Sequence, residues 1–253
     1  MRIGPFISYY GSKWRASGVY DQPEHGTIVE PFAGGAGYSC RYHTRDVILV
    51  DADEHIVGVW SYLISTPAAE IMRLRAPVEH VDDIDGPQEA RWLVGFWLHN
   101  GGVAPCKTPG KWNRIAAEKG HAQAWGPRCR ERIARGVESI RHWKIIHGTY
   151  RDAPPIRATW FVDPPYAGRA GSFYRHGSKK IDYSDLGAWC RSLDGQVQVC
   201  EADGATWLPF DPFATIKASP GARRKGTSAE AIWRNVAAHS TNAQAGPARS
   251  DRA

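Results

Sequence analysis

A carboxylate, two prolines and a phenol follow one another at Asp163, Pro164, Pro165 and Tyr166, directly behind the apolar run "TWFV". Each proline fixes its own φ, carries no N–H and restricts the residue before it. The pair therefore holds the Asp163 side chain, the Pro164 carbonyl and the Tyr166 ring in a preset arrangement. Two acceptors beside an aromatic face suit a flat heterocycle that bears an exocyclic amine. Such an amine is a poor nucleophile, because its lone pair is spread into the ring. Hydrogen bonds from it to Asp163 and to the Pro164 carbonyl favour pyramidalisation and stabilise the positive charge that develops during attack. Held in line with an activated methyl, the amine reacts as if in a unimolecular step, an effect worth up to about 7–11 kcal/mol. This chemistry needs no metal, and no metal-ligand spacing stands in the sequence. The plain alternative is an Asp-Pro turn without chemistry, and "FDPFA" at 210–214, which lacks the second proline and the tyrosine, reads as one.

A second stretch, "IVEPFAGGAGY", carries Gly34, Gly35 and Gly37 behind a short apolar run. Glycines at a strand-to-helix turn let a ligand approach the backbone and leave amides pointing at it. Asp51 closes the next apolar run, "VILVD", seventeen residues beyond Gly34. An acid at the tip of the second strand accepts from both hydroxyls of a nucleoside's ribose, so the two features together point to a nucleoside-containing cofactor. The pattern is neither the dinucleotide fingerprint G-x-G-x-x-G nor the phosphate loop G-x-x-x-x-G-K-[ST].

These residues need strands behind them. "TIVEPF" (27–32), "VILVD" (47–51), "KIIHG" (144–148), "TWFVD" (159–163) and "QVQVC" (196–200) read as buried strands. "ADEHIVGVWSYLIS" has helical spacing of its apolar residues, and "GGAGYSCRYHT" is helix-compatible after its glycines. The alternation predicts an α/β fold with an open, mainly parallel sheet covered on both faces. Near the end, "FATIKAS" and "EAIWRNVA" flank "GARRKGT" and are expected to pair as an antiparallel hairpin. Residues 66–142 break the alternation and read as a mostly helical insertion between the second and third strands. Residues 1–65 and 143–238 then form the main domain, and 239–253 read as a tail without periodicity. His99 and His147 are expected to be structural or surface residues, and Trp92 and Trp97 to be core.

The chain has 253 residues, a net charge of +6 and eleven tryptophans. The charge is concentrated: residues 106–151 hold four Lys and seven Arg against three Glu, a local balance of +8. That favours nucleic-acid contact, with a solvated helix surface as the alternative. Five cysteines, Cys40, Cys106, Cys129, Cys190 and Cys200, form no C-x-x-C pair, which argues for buried thiols in a reducing compartment rather than disulfides or zinc. No apolar run reaches membrane-spanning length, so a cytoplasmic protein with no membrane partner, no metal and no obligate protein partner is expected.

At these motifs the chain resembles the Dam-like class of S-adenosylmethionine-dependent DNA adenine methyltransferases, over most of residues 4–236. "FISYYGSKW" is similar to that class's N-terminal aromatic–Gly–Gly–Lys motif, which implies that Tyr9 and Lys13 touch the cofactor. "EPFAGGAGY" resembles its Phe–x–Gly–x–Gly loop, implicating Phe32, Gly34 and Gly37, and "LVDADEHIVGVW" its acid-bearing motif, implicating Asp51. "HGTYRD" is similar to the segment that frames the cofactor adenine, at Tyr150. "DPPY" matches the catalytic motif, Asp163, Pro164, Pro165 and Tyr166, with Asp163 also beside the cofactor. The resemblance implies a Rossmann-like methyltransferase sheet, S-adenosylmethionine as cofactor, double-stranded DNA as partner, and transfer to the N6 amine of an adenine flipped out of the duplex. It makes 66–142 a target-recognition subdomain, with Asn100, Lys107, Lys111 and Arg114 as DNA contacts. Two positions depart from the class: Ser12 replaces a glycine, and Ser8 stands where many members are basic. The cytosine N4 amine as acceptor, an inactive DNA-binding relative and methylation of a protein amide are the competing readings.

Overall fold

In the computed structural model, residues 3–217 and 227–235 are described. Residues 221–226 of the "GARRKGT" turn, with its "RRK", and the tail at 239–253 lie outside the described residues. Seven strands form one sheet: β1 (Thr27–Glu30), β2 (Asp46–Asp51), β3 (Lys144–His147), β4 (Ala158–Val162), β5 (Gly195–Ala202), β6 (Asp211–Lys217) and β7 (Thr227–Arg234). Their order is β3-β2-β1-β4-β5-β7-β6. Strands β1 to β5 pair in parallel, while β7 runs antiparallel to both β5 and β6. The sheet is thus mixed, mostly parallel and flanked by helices, compatible with a Rossmann-like fold.

The middle strands are the most buried, β4 along its whole length, and that is why they read as unbroken apolar runs. The two glutamines of "QVQVC" are buried as well, and they are satisfied by the segment at 21–25. Gln198 accepts from the Asp21 N–H at 2.9 Å, Gln196 accepts from the Glu24 N–H at 3.0 Å, and both side-chain amides donate back to carbonyls of that segment.

Asp211 and Pro212 open β6 instead of forming a free turn, which corrects the reading of "FDPFA". A proline is tolerated there because β6 is the sheet's edge and a bulge separates Pro212 from Ala214.

Seven helices lie between the strands among the described residues: α1 (Gly37–Arg41), α2 (Glu54–Ser65), α3 (Ala68–Arg73), α4 (Gln88–Trp97), α5 (Lys111–Glu118), α6 (Pro127–Val137) and α7 (Tyr183–Ser192). Helices α3 to α6 occupy the stretch between α2 and β3 that lacks alternation. Their apolar faces belong to the same hydrophobic cluster as the sheet: Leu93, Phe96, Trp97 and Ile133 pack in one body with Ile28, Leu49 and Trp60. Trp97 is buried and donates its indole N–H to the Phe6 carbonyl at 2.8 Å; Trp92 is partly buried against that cluster. His99 and His147 are exposed.

Candidate active site

The order 3-2-1-4-5 reverses direction between β1 and β4, and the carboxyl ends of parallel strands at such a point leave a crevice. A cleft lies there, with an empty volume of about 1000 Å³ that includes the open solvent at its mouth. Tyr9, Lys13, Phe32, Gly34, Gly37, Asp51, Tyr150, Asp163 and Pro165 all line it. Residues scattered over 150 positions of sequence thus come together around one space. Pro164 is buried and lies outside this lining, as does Tyr166.

The glycine turn is held in an unusual backbone. Gly34 has φ +41° and Ala36 has φ +43°, the left-handed region that residues with a Cβ rarely enter. Asp51 fixes the turn: one carboxylate oxygen accepts from the Gly34 N–H and the other from the Asp53 N–H, each at 2.9 Å. The Gly34 amide is therefore aimed at Asp51 and not at the open cleft. A carboxylate has about four acceptor positions, so Asp51 retains acceptor capacity beyond these amides. Burial raises its pKa to about 6, with the Gly34 and Asp53 amides pulling the other way.

The glycines also make room for protein. A Cβ on Gly34 would sit 2.9 Å from the Tyr9 ring, and one on Gly37 would sit 2.3 Å from the Trp14 backbone nitrogen. The segment 9–14 is laid directly on the turn. From there it runs on to the insertion: the Tyr10 N–H donates to the Gly102 carbonyl at 3.1 Å, and the Ser8 hydroxyl accepts from the Gly101 N–H at 3.2 Å. Ser8, a departure from the basic residue of the resembling class, has a structural job here.

Lys13 crosses to the "DPPY" stretch. Its Nζ is 2.8 Å from Asp163 Oδ1, 3.8 Å from Glu230 Oε1 and 4.8 Å from the centroid of the Tyr166 ring. The lysine is 7% exposed and Asp163 is 20% exposed. Burial pushes Asp163 up to about 6, and the Lys13 ammonium draws it back down. Burial works against the charge on Lys13, yet Asp163 above all, then Tyr166, Tyr20 and Glu230, hold its pKa well above the ordinary lysine value. The Tyr166 ring presents its face to this ammonium, and its hydroxyl is buried with no hydrogen-bond partner among the described residues.

Phe32 and Tyr150 stack on each other at 5.7 Å and form an apolar wall. The Tyr150 hydroxyl donates to Asp185, and burial with that contact raises its pKa to about 12.

Several groups of the site have no local sequence signature. Glu30, at the end of β1, lines the cleft and accepts from the Ser39 N–H at 2.7 Å, capping α1 from outside; burial lifts its pKa to about 8. Glu201, near the end of β5, accepts from the Ala167 N–H and the Trp207 indole, each at 2.9 Å, and so fixes the chain as it leaves Tyr166. Glu230 on β7 accepts from the Tyr20 hydroxyl at 2.8 Å. The Ser12 hydroxyl is buried at the cleft without a hydrogen-bond partner among the described residues.

The four insertion residues lie apart from the cleft lining. Lys107, Lys111 and Arg114 are exposed, and Asn100 is half-buried. Arg114 is paired with Glu79 at 3.2 Å. Helix α5 also exposes Trp112 (49%) and Ile115 (42%), while Asn113 on its other side is buried and donates to the Trp97 carbonyl. Among the described residues no group of three or more His, Cys, Asp or Glu could hold a metal ion, and no helix is long and apolar enough to cross a membrane.

No protein-family model matches the chain, and no curated protein matches it. Among solved structures it is similar to a "conserved hypothetical protein" of Streptococcus pyogenes, at 11% identity and a TM-score of 0.37 over 87% of this chain and 89% of that one. A likeness of that size carries no argument about function.

Proposed function

We propose that the chain is an S-adenosylmethionine-dependent methyltransferase acting on the exocyclic N6 amine of adenine in duplex DNA. The observation that carries the reading is the convergence of Asp51, the Gly34–Gly37 turn and Asp163 on one cleft at the switch point of the sheet. The motifs at these positions resemble the Dam-like class throughout. The residues present fit the cofactor: an unpartnered Ser12 hydroxyl faces the cleft, Asp51 keeps acceptor capacity, and the Phe32–Tyr150 wall suits an adenine. When bound, the cofactor supplies an electrophilic methyl group on a sulfonium.

The rest follows from the chain's own groups. Lys13 engages Oδ1 of Asp163, which leaves Oδ2 to accept from an amine N–H. Preorganised acceptance of that hydrogen bond stabilises charge developing on the nitrogen. A carboxylate with a pKa of about 6 is ionised at neutral pH and is a better base than an ordinary one, so Asp163 also takes the proton the amine gives up. Exposed Lys107 and Lys111 supply phosphate contacts, which position a duplex without reading it.

The direct test is incubation with S-adenosylmethionine and duplex DNA, followed by mass analysis of the nucleosides. N6-methyladenosine-type product is expected; N4-methylcytosine changes the acceptor, and no methylated base overturns the proposal. A second expectation concerns Lys13, whose ammonium lowers the Asp163 pKa. Lys13→Ala removes that help, so the acid limb of the rate profile moves to higher pH and the cofactor binds more weakly. A limb that stays in place would separate Lys13 from the carboxylate's ionisation.

A further inference from the structure

Behind Tyr166, residues 167–181 ("AGRAGSFYRHGSKKI") hold Arg169, Arg175, Lys179 and Lys180 and no acid; Asp182, which follows, caps α7. It is folded over the mouth of the cleft, where Tyr174, Arg175, His176, Lys180 and Ile181 are part of the lining. Tyr174 packs on Tyr9 and Tyr10 with ring centroids 5.9 and 5.8 Å away, and its hydroxyl donates to the Tyr10 carbonyl at 3.3 Å. Arg175 reaches Glu54 at 2.7 Å on the α2 side. At the other end, Gly171 is pressed on the Tyr166 backbone, where an added Cβ would lie 2.0 Å from the Tyr166 carbonyl oxygen. The strap is therefore built onto the cleft and is not a loose loop.

Its outer side is different. Arg169, Phe173 and Lys179 are exposed and lie outside the cleft lining, Phe173 at 57%. A base that reaches Asp163 brings its own sugar and flanking phosphates to this mouth. A cation-rich strap with an exposed aromatic between its cations matches that strand in charge and in stacking chemistry.

We infer that residues 167–181 grip the nucleic-acid strand beside the displaced base, with Arg169 and Lys179 on flanking phosphates and Phe173 stacked on a neighbouring base. The inference rests on the proposed reading of the cleft and adds a second contact surface to that of the insertion.

The test uses the full chain with S-adenosylmethionine and a mixed-sequence duplex of about 20 base pairs, titrated with salt, the probe length being set by roughly two turns of helix. For Arg169→Gln with Lys179→Gln, the slope of log affinity against log salt falls by about 1.8, from ~0.9 per lost phosphate contact, while cofactor affinity measured by calorimetry stays as in the parent. Phe173→Ala weakens binding about tenfold and leaves the slope alone. An unchanged slope in the double variant overturns the inference and leaves the methyltransferase reading standing. A double variant that loses cofactor affinity instead of slope overturns it too, making the strap a cofactor lid. If the parent chain binds cofactor but no duplex, both the strap's role and the DNA assignment fall.

Discussion

Asp163→Asn is expected to lower the rate of methyl transfer about 1000-fold, the loss typical of removing a preorganised group aimed at developing charge. The substitution keeps the shape of the side chain and one carbonyl oxygen for Lys13, so the fold and the Lys13–Glu230 contact survive. It removes the charge that, in the proposed mechanism, faces the amine and the base that takes its proton. The parent chain is expected to carry a further signature. In the proposed mechanism Asp163 must be ionised to take the proton of the amine, and burial has raised its pKa to about 6. The rate is therefore level above that pH and falls about tenfold per unit below it. The residual rate of the asparagine variant lacks this limb. Measuring the rate at saturating cofactor from pH 5 to 8 decides the matter: a variant with parental activity, or a parent with no limb, removes Asp163 from the chemistry.

The parts of the site with a local signature were legible in the sequence. Asp51 and Asp163 end buried parallel strands, and such strands stand out as short apolar runs because both faces are covered. The five runs match β1 to β5 to within about two residues of each end, the usual scatter of element boundaries. What the sequence did not show depends on long-range contact. Nothing near Glu230 indicates that it would sit 3.8 Å from Lys13, more than 200 positions away. Glu201 and Glu30 are acids close to strand ends that, like Asp51, accept from backbone amides, whereas Asp163 is held by Lys13. Helix α7 had a usable signal that went unread: Asp182 caps it through the N–H groups of Ser184 and Asp185, and its buried residues Leu186 and Cys190 are four apart. The strap has no periodicity to mark it, and its position at the cleft follows from Tyr174 meeting Tyr9 and Tyr10.

The glycine turn shows how a correct residue can carry an incomplete reason. Gly37 was read as clearance for a ligand, and it does line the cleft. The closer neighbour is the chain itself, since a Cβ there would lie 2.3 Å from the Trp14 nitrogen and 2.8 Å from the Lys13 carbonyl carbon. Both are backbone atoms, so no side-chain rotation relieves the clash. Gly37→Ala must push residues 13–14 off the turn, and with them the Lys13 ammonium that holds Asp163. The expected cost is about 3 kcal/mol of stability, at the upper end of ordinary overpacking, or a drop of roughly 6–12 °C in Tm for a chain of this size. Cofactor affinity falls at least tenfold, and the acid limb of the rate shifts upward as it does in Lys13→Ala. Thermal unfolding of the ligand-free variant separates the two reasons for the glycine. A residue needed only for ligand clearance would leave Tm unchanged and weaken binding alone, whereas a seat for the N-terminal segment lowers both.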